Sequence, residues 1–254
     1  MTLPDAFLGA PLAHRAFHAK VRGRPENSRA AIEAAIEAGY GIEIDVQLSR
    51  DNIAMVFHDY ELSRLTAEKG PIRQRSAKEL ANIPLKGGDE TIPTLAEVLD
   101  LVAGRVPVLI EIKDQDGVMG PNVGALEGSV ARALTDYDGP VAVMSFNPHS
   151  MAEMASLAPD VPRGLATCSF SHEDWPILPQ VTRTLLARIP DLERVGACFI
   201  SHDVKDLAAP RVAEIKDAGL PVLCWTVKSK RMETQAREIA DNVTFEGYAA
   251  KLPA

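Results

Sequence analysis

Residues 41–51 read GIEIDVQLSRD, an apolar run in which Glu43 and Asp45 alternate with Ile42, Ile44 and Val46. Alternation with a period of two is the mark of a β-strand, and it turns both carboxylates to one face and the branched apolar side chains to the other. In a closed barrel the acidic face is the interior. Two unpaired acids there cost several kcal/mol or more, and one of them would ordinarily be neutralised. A bound cation removes the conflict. Donors that are all carboxylate oxygens favour a hard ion, Mg²⁺ or Ca²⁺, over zinc, which prefers His and Cys; Mn²⁺ is a further candidate.

The pattern recurs in VLIEIKD, residues 108–114, where Glu111 and Lys113 share one strand face and Ile110 and Ile112 occupy the other. A third carboxylate and a fixed cation thus join Glu43 and Asp45. For either pair alone, an interior salt bridge or a charge reaching solvent at a strand end is an adequate account. Two such pairs on neighbouring β-segments favour function, because burying four charged groups is costly without one.

Outward from these strands, short β-branched or apolar runs alternate with helical stretches along the whole chain, as in repeated βα units around a parallel sheet. The strand candidates are PLAHRA (11–16), GIEIDVQL (41–48) with AMVFHD (54–59) close behind, VPVLIEIK (106–113), VAVMSF (141–146), PRGLAT (162–167), ACFISHDV (197–204), PVLCWTV (221–227) and NVTFEGY (242–248). Counting the second and third as one barrel position gives about eight, the number a closed barrel needs. Helices are expected over 28–38, with Asn27 as N-cap and Gly39 as stop, and over 94–103, 123–137, 148–157, 208–218 and 230–240.

An open doubly wound sheet alternates in the same way, but the chain has no GxGxxG or GxxxxGK[ST] loop after its first strand. The 254 residues match the roughly 250 of one such barrel. The expectation is therefore a TIM (β/α)8 barrel forming a single domain over 1–254, with a small insertion at about 59–93 and a second long connection over 169–195.

His14 with Arg15 ends the first strand candidate, and His58 with Asp59 ends AMVFHD. Catalytic residues of a barrel come from strand ends of this kind, although an isolated histidine there is commonly structural. Beside a carboxylate-bound cation the two suit general acid–base work on a phosphodiester, one removing a proton and one supplying it to the leaving oxygen. Arg15 as a planar fork and Lys113 as a point charge would hold phosphate oxygens.

The ordered set AHRAF, PENS, IEIDVQLSRD and VFHD resembles the motifs of the glycerophosphodiester phosphodiesterases, with LIEIK, SFNP (145–148) and CWTV (224–227) extending the likeness over nearly the whole chain. The resemblance implies His14 and His58 as the acid–base pair, Glu43, Asp45 and Glu111 as metal ligands, and Arg15 and Lys113 as phosphate contacts. It also implies that Trp225 lines the pocket for glycerol, and that the substrate is a small glycerophosphodiester such as glycerophosphocholine or glycerophosphoethanolamine. Ala16 stands where the family has glycine, which predicts ordinary dihedrals or a mild rearrangement at that turn. Glu246 stands near the usual Thr-Asp of the last strand, with its part in the site open. A basic stretch, His18 to Arg24, reads as a solvated loop or a rim that attracts anions. His202 and Asp203 read as a structural pair, and His149 and His172 as surface residues.

A net charge of −8 argues against non-specific binding to nucleic acid or an anionic membrane. Cys168, Cys198 and Cys224 are widely spaced in apolar surroundings and read as reduced and buried. With no apolar run of about 18 residues and no secretory leader pattern, a cytoplasmic enzyme is expected, without stable membrane association. Two other readings remain: phospholipase D-like action on lysophospholipids, which needs an apolar patch at the mouth that the loops do not obviously offer, and a non-catalytic phosphate-binding barrel.

Overall fold

The structure, a computed structural model, describes residues 1–253. Its strands, in chain order, are β1 (Leu12–Ala13), β2 (Gly41–Leu48), β3 (Ala54–Val56), β4 (Val108–Ile112), β5 (Val141–Ser145), β6 (Arg163–Thr167), β7 (Ile200–Asp203), β8 (Val222–Val227) and β9 (Asn242–Phe245). The helices are α1 (Arg29–Ala38), α2 (Ala77–Leu80), α3 (Leu95–Val102), α4 (Ala125–Leu134), α5 (Pro148–Leu157), α6 (Gln180–Ala187), α7 (Leu192–Val195), α8 (Pro210–Asp217) and α9 (Lys230–Ala236). The sheet runs β1-β9-β8-β7-β6-β5-β4-β2 and closes through β1–β2, every pairing parallel, so eight strands form a TIM barrel. β3 lies outside the count: it pairs antiparallel with the end of β2, Val46 opposite Val56 and Leu48 opposite Ala54.

The alternation read from residues 41–51 is what builds the wall. Ile42, Ile44, Val46 and Leu48 pack outward with Ile32, Val98 and Val102 of the surrounding helices, while Glu43, Asp45 and Gln47 project inward and are buried. Lower in the interior, Leu12, Leu109, Ala142, Ala166, Phe199 and Leu223 fill the barrel around Phe7. A short 3₁₀ turn, Asp5–Phe7, carries Phe7 into the floor, and the Asn242 amide holds that lead-in segment by donating to the carbonyls of Phe7 at 2.7 Å and Ala10 at 2.8 Å. Gly164 on β6 leaves room for the Phe199 ring, which a Cβ would approach to 2.6 Å. Apolar residues thus seal one end, and charged residues gather at the other, the C-terminal ends of the strands.

Residues 59–93 leave the barrel after β3, carry α2, and pack Leu62, Ile72, Leu80, Ile83 and Ile92 in a separate cluster with Met55 of β3 and the adjoining Phe57. The connection over 169–195 carries α6 and α7. Val181 and Leu185, one turn apart on α6, are 77% and 53% exposed, and Ile177 ahead of the helix is exposed as well. No helix of the described residues is long and apolar enough to cross a membrane. The three cysteines are unpaired and buried.

One capping expectation is corrected. Ser28, in extended conformation, is the N-cap of α1 and accepts from the Ala31 N–H. Asn27 has φ +58° and is turned into the barrel mouth, where Asp45 engages both ends of its amide.

Candidate active site

A cavity of about 620 Å³ opens at the C-terminal end of the barrel, with His14, Arg15, Glu43, His58, Glu111 and Lys113 on one side. Trp225, predicted to line a pocket, lies on the other side with Phe146, Trp175 and Met119. The Phe146 ring centroid lies 5.1 Å from that of Trp175 and 5.4 Å from that of Trp225. Trp225 is oriented by donating its Nε1–H to the Ser201 carbonyl at 3.0 Å. The site has a charged half and an aromatic half.

On the charged half, Glu43 and Asp45 reach the interior from β2 and Glu111 from β4, where Asp45 and Glu111 are register partners. One carboxylate oxygen from each lies within 4.8 Å of the others, and all three residues are buried. The Lys113 ammonium bridges two of them, 2.8 Å from Asp45 Oδ1 and 2.6 Å from Glu111 Oε1. Arg15 Nε stands 3.6 Å from Asp45 Oδ2. Asp45 also accepts from Asn27 Nδ2 at 2.9 Å. Although burial alone would raise it, the charges of Lys113, His58 and Arg15 hold the Asp45 carboxyl well below the usual carboxylate range.

Glu43 differs. Its one short contact is the Arg15 backbone N–H at 2.9 Å, and burial together with repulsion from Asp45 and Glu111 pushes its carboxyl well above the usual range. With Glu43 ionised, three carboxylates against two cations leave a surplus negative charge in a desolvated place. Hard oxygen donors so arranged fit a divalent cation.

The turn that aims Arg15 is left-handed at consecutive residues, Arg15 φ +52° and Ala16 φ +64°. This corrects the expectation of ordinary dihedrals at Ala16. The Ala16 methyl is buried and its N–H donates to the carbonyls of Glu43 at 3.0 Å and Ala13 at 3.1 Å, so the surroundings hold a conformation that costs roughly 1–2 kcal/mol without glycine.

Each histidine has a carboxylate on its Nδ1. His14 pairs with Glu246 Oε2 at 2.6 Å, and His58 with Asp59 Oδ1 at 2.6 Å. Burial, partly opposed by Glu246, lowers the His14 pKa from its ordinary value and keeps the ring neutral near pH 7. With a carboxylate accepting at Nδ1, the proton of the neutral ring sits there and Nε2 is the free base. Glu246 is itself fixed by Lys228 at 2.9 Å, and His18 stands 3.8 Å away. Asp59 is gripped by Arg64 from the 59–93 segment, which also binds Glu26, and Glu26 in turn accepts from Arg15 Nη1 at 2.8 Å.

The mouth therefore gathers every residue expected from the sequence and adds partners that sequence reading left open or missed: Glu246, Glu26, Arg64 and the ring of Trp175. Two of these had a signal, Glu246 as an acid at a strand end and Glu26 within the PENS motif. Other expectations fare differently. His202 is buried and meets Thr167 Oγ1 at 2.8 Å and Asp206 Oδ2 at 3.3 Å, so its carboxylate partner is Asp206 instead of Asp203, whose side chain caps the following turn. His172 is exposed, but His149 is half-buried, with its N–H on Asn147 Oδ1 at 2.9 Å at the start of α5. In the basic stretch Lys20 and Arg22 are exposed, while the Arg24 guanidinium lies over the Phe17 ring at 5.2 Å.

Histidines, fixed cations and hard oxygen donors gathered in one barrel mouth suit the chemistry of a phosphoester hydrolase. The chain belongs to the glycerophosphoryl diester phosphodiesterase family, whose sequence model matches residues 14–245. A glycerophosphodiester phosphodiesterase of Caldanaerobacter subterraneus subsp. tengcongensis is 34% identical over 174 residues, 65% of this chain and 69% of that protein. One from Bacillus altitudinis is 32% identical over 63% of this chain and 67% of its own length. Among solved structures, a phosphodiesterase of Oleispira antarctica in complex with the product sn-glycerol 3-phosphate superposes with a TM-score of 0.76 at 25% identity, over 95% of this chain and 94% of that one. A glycerophosphodiester phosphodiesterase of Thermotoga maritima shares the fold with a TM-score of 0.69 at 21% identity, over 93% and 94% of the two chains.

Proposed function

We propose that this chain hydrolyses glycerophosphodiesters, such as glycerophosphocholine or glycerophosphoethanolamine, to an alcohol and sn-glycerol 3-phosphate, with His14 and His58 as acid–base pair and one divalent cation, Mg²⁺ or Ca²⁺ with Mn²⁺ as a third candidate. The observation that carries the reading is the placement of three buried carboxylates within 4.8 Å of one another, in a cavity flanked by two histidines each bound to a carboxylate through Nδ1. The product complex of the Oleispira antarctica phosphodiesterase supports the assignment of glycerol phosphate to this chain.

Glu43, Asp45 and Glu111 would hold the cation, which supplies charge neutralisation at the phosphate. Arg15 and Lys113 complement the phosphate oxygens from the same wall. His14, neutral and with Nδ1–H on Glu246, has Nε2 available to take the proton of the attacking oxygen. His58, anchored through Nδ1 to Asp59, has Nε2 available for the leaving oxygen. The aromatic half, with Trp225, excludes water and packs against the carbon atoms of the substrate. The buried, unpaired Cys168, Cys198 and Cys224 support a reducing, cytoplasmic setting.

His14→Ala and His58→Ala should each lower kcat by about 10²- to 10⁴-fold while calorimetric titration with Mg²⁺ or Ca²⁺ shows metal affinity nearly intact. Wild-type turnover in both variants would remove the acid–base assignment of His14 and His58. A cyclic glycerophosphate trapped by rapid quench would identify the neighbouring glycerol hydroxyl as the attacking group, and its absence would assign that role to water.

A further inference from the structure

The acid–base residue His58 and the phosphate-side Arg15 stand on different segments of the mouth, yet they are joined by an unbroken chain of charged contacts. His58 Nδ1 meets Asp59 Oδ1 at 2.6 Å, and Arg15 Nη1 donates to Glu26 Oε1 at 2.8 Å. Between Asp59 and Glu26 lies one side chain, Arg64. Its Nη1 and Nη2 each donate to Glu26 at 2.8 Å, its Nη2 donates to Asp59 Oδ1 at 2.8 Å, and its Nε donates to Asp59 Oδ2. Arg64 comes from the 59–93 segment, and it lines the same cavity as His58 and Arg15.

We propose that Arg64 is a positioning residue for the reaction: it clamps Asp59 and Glu26 together, and through them sets the His58 ring and the Arg15 guanidinium in one frame. The proposal rests on the functional reading given above.

Three features of the geometry carry it. First, Arg64 makes four contacts, all to carboxylates, so four of its five N–H donors are committed to the wall. Second, the two bidentate pairs use two edges of a planar fork, a geometry that a lysine ammonium does not reproduce. Third, the charges alternate. Asp59 and Glu26 are 21% and 12% exposed at the side chain, against 46% for Arg64. Removing Arg64 leaves two poorly solvated acids facing each other beside the place where an anionic phosphate must enter. Asp59 would then lose its hold on the His58 rotamer, and Glu26 would draw Arg15 away from the cavity. The 59–93 segment thus contributes to the site itself.

The test compares Arg64→Ala, Arg64→Lys and His58→Ala with the wild-type enzyme, assayed with glycerophosphocholine at saturating Mg²⁺ or Ca²⁺. Arg64→Ala is expected to lower kcat about 10- to 100-fold, as loss of an outer partner of a site residue does, with KM within about threefold. Arg64→Lys should recover little of the loss, and added methylguanidinium should recover part of it in Arg64→Ala. A KM rise with kcat preserved would make Arg64 a substrate ligand and overturn the proposal, as would wild-type kinetics in Arg64→Ala. If Arg64→Ala melts below the assay temperature, Arg64→Lys decides by the same kcat and KM criteria. His58→Ala separates the two levels. Wild-type turnover there defeats the acid–base reading itself, whereas a collapse there beside an unaffected Arg64→Ala defeats only the clamp.

Discussion

Glu43→Gln isolates the cost of the third carboxylate, because glutamine keeps the shape of a protonated Glu43 and cannot release a proton. At 4.8 Å, two unit negative charges repel by about 3–4 kcal/mol at an effective dielectric near 20. Burial and two such neighbours, Asp45 and Glu111, are why the Glu43 pKa is raised when no cation is bound. The sign follows from linkage: the metal-free folded protein keeps a proton that the unfolded chain releases, so this group's stability is present at low pH and is lost as pH rises through the folded value. The loss is about 1.4 kcal/mol for each pH unit between the ordinary carboxyl value and the raised one. A cation reverses the balance, and at a concentration 100 times its Kd it adds about 2.7 kcal/mol, or about 5–10 °C in Tm for a chain of this size.

Thermal melts of the chelated wild type and Glu43→Gln at pH 5 and pH 8, each repeated with Mg²⁺ or Ca²⁺, read both effects. Groups other than Glu43 titrate in both proteins, so the difference between them reports on this carboxyl. Without metal, the wild type should lose more stability than the variant between pH 5 and pH 8. With metal it should gain the full shift, and the variant less than a third of it. An equal metal shift in both proteins, or none in the wild type at any divalent concentration, would refute the reasoning and leave the cluster as an ion-pair network with Lys113 and Arg15.

Glu246→Gln should reduce kcat about 10²- to 10⁴-fold by freeing the tautomer and orientation of His14, and Glu246→Asp should restore part of it; steady-state kinetics with unchanged KM in Glu246→Gln would support the His14–Glu246 pair seen at 2.6 Å. Phe7→Ala, which empties a fully buried position in the barrel floor, should destabilise by about 3–5 kcal/mol in urea denaturation, with kcat nearly unchanged at a temperature where the variant is folded. A loss below 1 kcal/mol would mean that the N-terminal segment does not seal the barrel.

The barrel was legible because its signals are local. Period-two runs mark strands and place Glu43, Asp45 and Glu111 on one side of the wall, and the expected helix over 148–157 coincides with α5. Closure of the sheet and the second set of site residues are not local. Glu246 meets His14 across a separation of 232 residues, and Arg64 meets Glu26 across 38, without a sequence period linking either pair. The N-cap was displaced by one residue because Ser28 and Asn27 are both good caps, and the choice was settled by Asp45, which claims the Asn27 amide. The left-handed Ala16 was likewise set by its buried surroundings instead of its residue type.

The central claim, phosphodiester hydrolysis through a cation held by Glu43, Asp45 and Glu111, is tested most directly with chelator-treated enzyme. It is supplied in turn with Mg²⁺, Ca²⁺ and Mn²⁺ and with glycerophosphocholine or glycerophosphoethanolamine, and sn-glycerol 3-phosphate is measured by a coupled dehydrogenase assay. The account predicts negligible release after chelation, recovery with at least one of the three ions, and no comparable recovery in Glu43→Gln at the same ion concentration. Full release of sn-glycerol 3-phosphate by the chelated enzyme, or no release with any ion and either substrate, would contradict it.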